Sequence, residues 1–173
     1  MLCLLHWNLS FVKSKESGWV LSVDPASNKC GVSLWKNGIY IDSCLLSSIS
    51  SSDPISRRMQ DILLQFEIFL AGNMAAGDEI NTIVTEGVRS RIVGVCIGSF
   101  LVCKTIQANL YSKGSFVEPQ QWKKWAKMRG ASGDVIKGVK ALSEAGWDMK
   151  KFPVESDDVA DSILIYLCWR DRD

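Results

Sequence analysis

The chain has 173 residues, 47% of them apolar and 23% charged, with 20 Lys+Arg against 19 Asp+Glu. These values describe one folded domain that can bury a core without a disulfide or zinc staple; they exclude a disordered chain and a polycationic tail binder, but not a positive charge confined to one face. A single histidine, His6, all but excludes Ser–His–Asp, Cys–His and His-rich metal chemistry, so any hydrolysis must rest on Asp, Glu, Lys, Ser or Cys. The six cysteines (Cys3, Cys30, Cys44, Cys96, Cys103, Cys168) form no CxxC pair, and read as reduced core thiols of a cytoplasmic protein.

Residues 1–18 read as a loose leader: Met1 to Trp7 are apolar, but Asn8, Ser10 and Lys13 soon interrupt them, with neither a basic n-region nor a cleavage site. No stretch reaches the roughly 18 continuous apolar residues of a membrane span. Residues 19–173 read as one domain. Trp19 to Val23 is a short apolar strand ending at Asp24, and Pro25 to Lys29 a turn. Gly31 to Trp35 and Ile39 to Leu46 are β-rich runs joined at Lys36-Asn37-Gly38; Asn-Gly between apolar runs is a hairpin signal because both residues tolerate positive φ. Asp53 as N-cap and Pro54 at the first helical position open a helix, whose apolar residues Ile55, Met59, Ile62, Leu63, Phe66 and Phe69 recur at helical spacing up to Gly72.

Ile80 to Thr85 is a β-branched run that stops at Glu86, and Ile92 to Tyr111 a long apolar helix. Phe116 to Pro119 makes a short fifth strand closed by proline. A basic, Trp-bearing segment follows, then a helix from about Gly133 to Ala145 and a last helix from Ser156 to Trp169. The order β-β-β-α-β-α-β-α-α gives an α/β fold: a five-stranded mixed sheet, three antiparallel strands leading into βαβ crossovers, flanked by helices.

Asp24 directly follows the first strand and Glu86 the fourth. The carboxyl ends of strands are where sites assemble in α/β sheets. If those strands are neighbours, two acids distant in sequence converge at one edge. Asp158 and Asp161, at i,i+3 spacing, share one face of the last helix, while Val159, Ile163, Leu164 and Leu167 hold it to the sheet. Four converging carboxylates repel one another unless cations sit among them, and an all-oxygen donor set suits two Mg²⁺ or Mn²⁺ ions able to assist phosphodiester hydrolysis. Taken singly, each acid has a plainer reading as a turn residue or, for Asp157-Asp158, as a helix-terminal residue.

These residues resemble the RuvC-like Holliday-junction resolvases of the RNase H-like nuclease superfamily. Val20 to Ser27 with Gly31 resembles that family's first strand, catalytic Asp, Pro-small-Ser turn and glycine. Ile83-Val84-Thr85-Glu86 resembles its fourth strand and catalytic Glu, and Asp158-Val159-Ala160-Asp161-Ser162-Ile163 its closing helix. Val117 to Ala141, with Trp122, Lys124, Gly130, Gly133 and Lys137, resembles the Lys- and Gly-bearing segment before that helix. The resemblance spans Trp19 to Trp169 and implies an RNase H-like fold, an obligate homodimer, and Mg²⁺-dependent paired nicking of four-way DNA junctions. It carries over Asp24, Glu86, Asp158 and Asp161 as catalytic metal ligands, Lys137 as the lysine stabilising charge on the scissile phosphate, and Lys124 or Lys127 as a second functional lysine. Two departures mark a divergent member, phage-borne or otherwise remote: Ala26 stands where the family has glycine, and Arg89 where the bacterial family has an aromatic near the junction centre.

From Gly87 to Lys140 ten basic residues (Arg89, Arg91, Lys104, Lys113, Lys123, Lys124, Lys127, Arg129, Lys137, Lys140) face two acids, Glu118 and Asp134. That asymmetry, hidden in the whole-chain balance, is what a phosphate-tracking face requires, and Arg89, Arg91, Lys123, Lys124, Lys127, Arg129 and Lys140 are the expected DNA contacts. Trp122 and Trp125, interleaved with lysines, read either as base-stacking aromatics or as packing residues under a solvated basic loop. Gly130 to Asp134 could offer backbone N–H groups to a phosphate. The segment with Gly94 and Gly98 reads as core, or as a helix that also meets a second subunit. Two rival functions remain at this level, an RNase H-like nuclease acting on RNA or RNA–DNA hybrids and an inactive DNA-binding module of the same fold. The chain is too short for a two-domain ATPase clamp with a similar opening hairpin.

Overall fold

The computed structural model describes residues 17–26, 28–87, 113–128, 137–138 and 156–172. His6, nearly all of the expected leader, the expected helix over 92–111, the Gly-rich turn at 130–134, and Arg89, Arg91, Arg129 and Lys140 lie outside the described residues. Among the described residues no helix is long and apolar enough to cross a membrane.

Three strands open the fold: β1 (Trp19–Asp24), β2 (Lys29–Lys36) and β3 (Ile39–Ser47). They pair antiparallel, with Asp24 opposite Gly31 and Lys36 opposite Ile39. The β2–β3 turn places both Asn37 (φ 52) and Gly38 (φ 79) at positive φ. A type I′ hairpin requires this, and its twist matches that of the flanking strands. Helix α1 (Ile55–Asn73) then crosses to β4 (Ile80–Glu86), which lies parallel to β1, and β5 (Lys113–Val117) lies parallel to β4. The sheet order is β3-β2-β1-β4-β5. Helices α2 (Pro119–Met128) and α3 (Asp157–Arg170) complete the described elements.

Strand alternation sorts the core into two layers. Leu21 and Val23 of β1, Cys30, Val32 and Leu34 of β2 and Ile83 of β4 face α1, packing with Ile62, Phe66 and Phe69. Val20, Trp35, Val84 and Val117 face the other way, onto Trp122 and Ala126 of α2 and Val159, Ile163 and Tyr166 of α3. Trp35 stacks on Tyr166 with ring centroids 3.6 Å apart and meets Tyr40 edge-on at 5.4 Å. Three cysteines are described, Cys30, Cys44 and Cys168, and they are reduced thiols, as expected. Burial pushes the Cys44 thiol up to about 12, with the Asp42 charge acting in the same direction.

Three local expectations are corrected. Helix α1 starts one residue later than the Asp53–Pro54 signal indicates: Pro54 has ψ 147, outside the helical region, and its carbonyl accepts from the N–H groups of Arg57 and Arg58 at 2.9 and 3.1 Å. The basic Trp-bearing segment is a helix, α2, not a loop. Pro119, two residues past the end of β5, is the first helical residue, where a missing N–H costs nothing. Gln121 reaches back so that its Oε1 accepts the Glu118 N–H at 3.2 Å, the return bond of a capping box. Finally, α3 is not half-solvated: Val159, Ala160 and every residue from Ser162 to Trp169 are buried. The helix lies between the sheet and α2, so apolar residues occupy nearly its whole circumference.

Candidate functional site

Asp24 ends β1 and Glu86 ends β4. The last paired residues of the parallel ladder are Val23 and Thr85, so the two acids are the next residues on adjacent strands. Both continue the alternation of Val20 and Val84, which points them toward α2 and α3. The conditional expectation that strands one and four are neighbours is therefore met.

Asp158 reaches the same edge by a different route. Gly31, opposite Asp24 in the β1–β2 ladder, faces the first turn of α3. A Cβ built there would meet the Asp158 carbonyl well inside van der Waals contact and the Val159 nitrogen at 2.8 Å. Only the lack of a side chain lets the helix backbone sit on the strand. The N-terminus of α3 is capped by Ser156, whose side chain accepts the Val159 N–H at 3.2 Å. Asp158 is thus not the cap, but with Asp157 it stands in the first turn, where its charge suits the positive end of the helix, as its plainer reading has it. Asp161 lies one turn on, half-buried, with its Oδ1 shielded from solvent. The buried Cys30 thiol, next to Gly31, is pushed up by burial first and the Asp24 charge second; Asp158 adds to it in the same direction.

Lys137 is helical and half-buried. A Cβ on its neighbour Gly138 would stand 2.7 Å from Cβ of Ala160, so Gly138 packs directly on α3. Lys123, Lys124 and Lys127 are exposed on α2, and i,i+3 and i,i+4 spacing gathers them into one stripe beside the buried pair Trp122 and Ala126.

Two residues at this edge had no such role in the sequence reading. Trp122 is 1% exposed, and its indole Nε1–H donates to Glu86 Oε1 at 2.9 Å. A residue buried in this way cannot be a base-stacking platform. Trp125 packs partly against the same core, and its Nε1–H donates to Asp171 Oδ2 at 3.1 Å. Glu118, directly after β5, places Oε1 3.2 Å from where a Gly87 Cβ would be, which adds a further carboxylate beside Glu86. The strand-end rule that singled out Asp24 and Glu86 applies equally to Glu118.

The donors available to a cation here are carboxylate oxygens, which fit a hard divalent ion and not a soft one. The backbone brings Asp24, Glu86 and Asp158 to one edge, with Asp161 a turn away. The side chains do not converge: among the described residues, no three acidic, histidine or cysteine side chains surround a common point. Binding an ion would therefore require some of these carboxylates to rotate toward the others.

No protein-family model matches the sequence, and no curated protein matches it. Solved structures do match the fold. The RuvC of Thermus thermophilus in complex with a Holliday junction substrate aligns at a TM-score of 0.59 and 14% identity, covering 87% of this chain and 92% of that one. A second Thermus thermophilus RuvC structure aligns at a TM-score of 0.58 and 16% identity with the same coverage. The five-stranded mixed sheet, antiparallel through β3-β2-β1 and parallel through β1-β4-β5, with helices on both faces, is a RuvC-like fold of the RNase H type.

Proposed function

We propose that the protein is a divalent-metal-dependent endonuclease that resolves four-way and related branched DNA junctions, working as a homodimer with one site per cut strand. The observation that carries this reading is the side-by-side placement of Asp24 and Glu86 at the carboxyl edge of a RuvC-like sheet, with the first turn of α3 seated on Gly31 beside them. It is supported further by a solved RuvC of the same fold that is bound to a Holliday junction.

In this reading Asp24, Glu86, Asp158 and Asp161 hold two Mg²⁺ or Mn²⁺ ions, which when bound supply the Lewis acidity for phosphodiester hydrolysis. The protein's own groups do the rest. The four carboxylates keep the edge negative until cations are present, which disfavours DNA approach without metal. Lys137, brought onto α3 by the Gly138–Ala160 contact, would place its ammonium near the scissile phosphate, where charge builds up in the transition state. Lys123, Lys124 and Lys127 would track the backbone along α2, with Arg89, Arg91, Arg129 and Lys140 extending that path.

The deciding experiment is a nicking assay on a synthetic four-way junction, with and without Mg²⁺, alongside a flap, a plain duplex and an RNA–DNA hybrid. Metal-dependent, symmetric nicks confined to the branched substrates are expected. Cleavage of the hybrid alone would assign the site to RNA, and metal-independent binding without any cleavage would leave an inactive module. For the α2 stripe, Lys124→Ala and Lys127→Ala should each lower the magnitude of the log K against log salt slope by about 1, whatever the base sequence. Slopes equal to that of the parent would remove α2 from the DNA path.

A further inference from the structure

The contact between Trp122 and Glu86 has no counterpart in the charge-based account of the site. Glu86 is a flexible side chain at the tip of a strand, and a glutamate there loses considerable rotamer freedom if it is to hold one orientation. Its Oε1 accepts the Trp122 indole N–H at 2.9 Å. The indole cannot easily turn, because it is 1% exposed and packed among Val84, Val117, Ile163 and their neighbours. An indole N–H donates but carries no charge. It therefore orients the carboxylate while leaving its negative charge available, as an arginine or lysine in the same place would not.

The helix bearing Trp122 is itself braced. Trp125 donates to Asp171 Oδ2 at 3.1 Å, and Arg172 donates to the Phe116 carbonyl at 3.1 Å and to Gln121 Oε1. Lys123 Nζ lies over the Trp122 ring, 5.0 Å from its centroid. A cation there draws on the ring's negative face.

We infer that Trp122 is a positioning residue: its indole N–H holds Glu86 through Oε1 and leaves Oε2 as the donor to a cation. The inference rests on the nuclease reading above. It assigns the tryptophan a role in the metal step and none in contacting bases.

The test is Trp122→Phe, which keeps an aromatic ring in the core and removes only the donor. With Mn²⁺ as the probe ion in titration calorimetry, metal affinity should fall by about 10–100-fold, the usual cost of losing a group that orients a metal ligand. Single-turnover nicking of the junction at saturating DNA should fall by a similar factor, while junction affinity without metal stays at the parent value. In a Glu86→Gln background the same substitution should change neither quantity further, since the two residues act as one unit. If Trp122→Phe lowers the melting temperature strongly, 3-benzothienylalanine at position 122 decides the matter, because sulfur replaces the N–H in a ring system of nearly the same shape. Parent-like metal affinity and nicking in either intact variant would overturn the inference. A parent protein that nicks no substrate would instead overturn the nuclease reading.

Discussion

Asp24→Asn is expected to reduce junction nicking by on the order of 10³-fold or more, since a charge-bearing group aimed at the reacting centre is worth several kcal/mol. The substitution is nearly isosteric and the residue is half-buried at the end of β1, so the melting curve should stay close to that of the parent. Binding should move the other way. One negative charge about 6 Å from a phosphate costs about 0.7 kcal/mol in water, so its removal should tighten metal-free junction binding by roughly threefold. Gel-shift titration in EDTA and nicking in Mg²⁺, run on the same preparation, separate the two effects. A variant that still nicks at the parent rate would remove Asp24 from the chemistry and, with it, the reason for assigning a site to this edge.

Gly31→Ala should produce the largest structural effect for the smallest chemical change. The new methyl would overlap the Asp158 carbonyl and crowd the Val159 nitrogen. Both are backbone atoms of a helix buried on nearly all sides, so neither can give way. Overpacking of this kind costs about 3 kcal/mol. For a domain of this size that corresponds to a fall in melting temperature of about 6–12 °C. Relief requires lifting the first turn of α3 from β2, which would also carry Asp158 away from Asp24, so nicking should be lost in the folded fraction as well. Gly72→Ala is the control: nothing stands within 4 Å of its Cβ position in α1, and replacing a helical glycine should stabilise by up to about 1 kcal/mol. Similar melting temperatures for the two variants would mean that the α3–β2 approach is looser than described.

The antiparallel half of the sheet was readable from local chemistry, because period-2 alternation and the Asn37–Gly38 turn are decided by neighbours in sequence. Helix α3 was readable from the Ser156 cap and the apolar run behind it, but its burial on nearly every side was not. That burial depends on α2 packing beside it, and α2 carries only a weak signal of its start. Pro119 reads as the end of a strand, and a glutamate at the cap position is a weak start signal. Once α2 is a helix, Trp122 and Ala126 fall on its inner face, and the choice between stacking and packing is made. The pairing of Asp24 with Glu86 could be posed from the sequence only as a condition on strand order. The fit of Gly31 to Asp158 could not be posed at all, since a glycine in a strand carries no mark of what lies over it.

That fit has a temporal consequence. A chain emerging from the ribosome completes β1 to β4 long before α3 exists, so Asp24 and Glu86 can be adjacent while the seat at Gly31 is still bare. The acidic edge acquires its last wall only when the final helix docks. Until then Asp24 and Glu86 stand side by side without the wall that α3 supplies at Gly31.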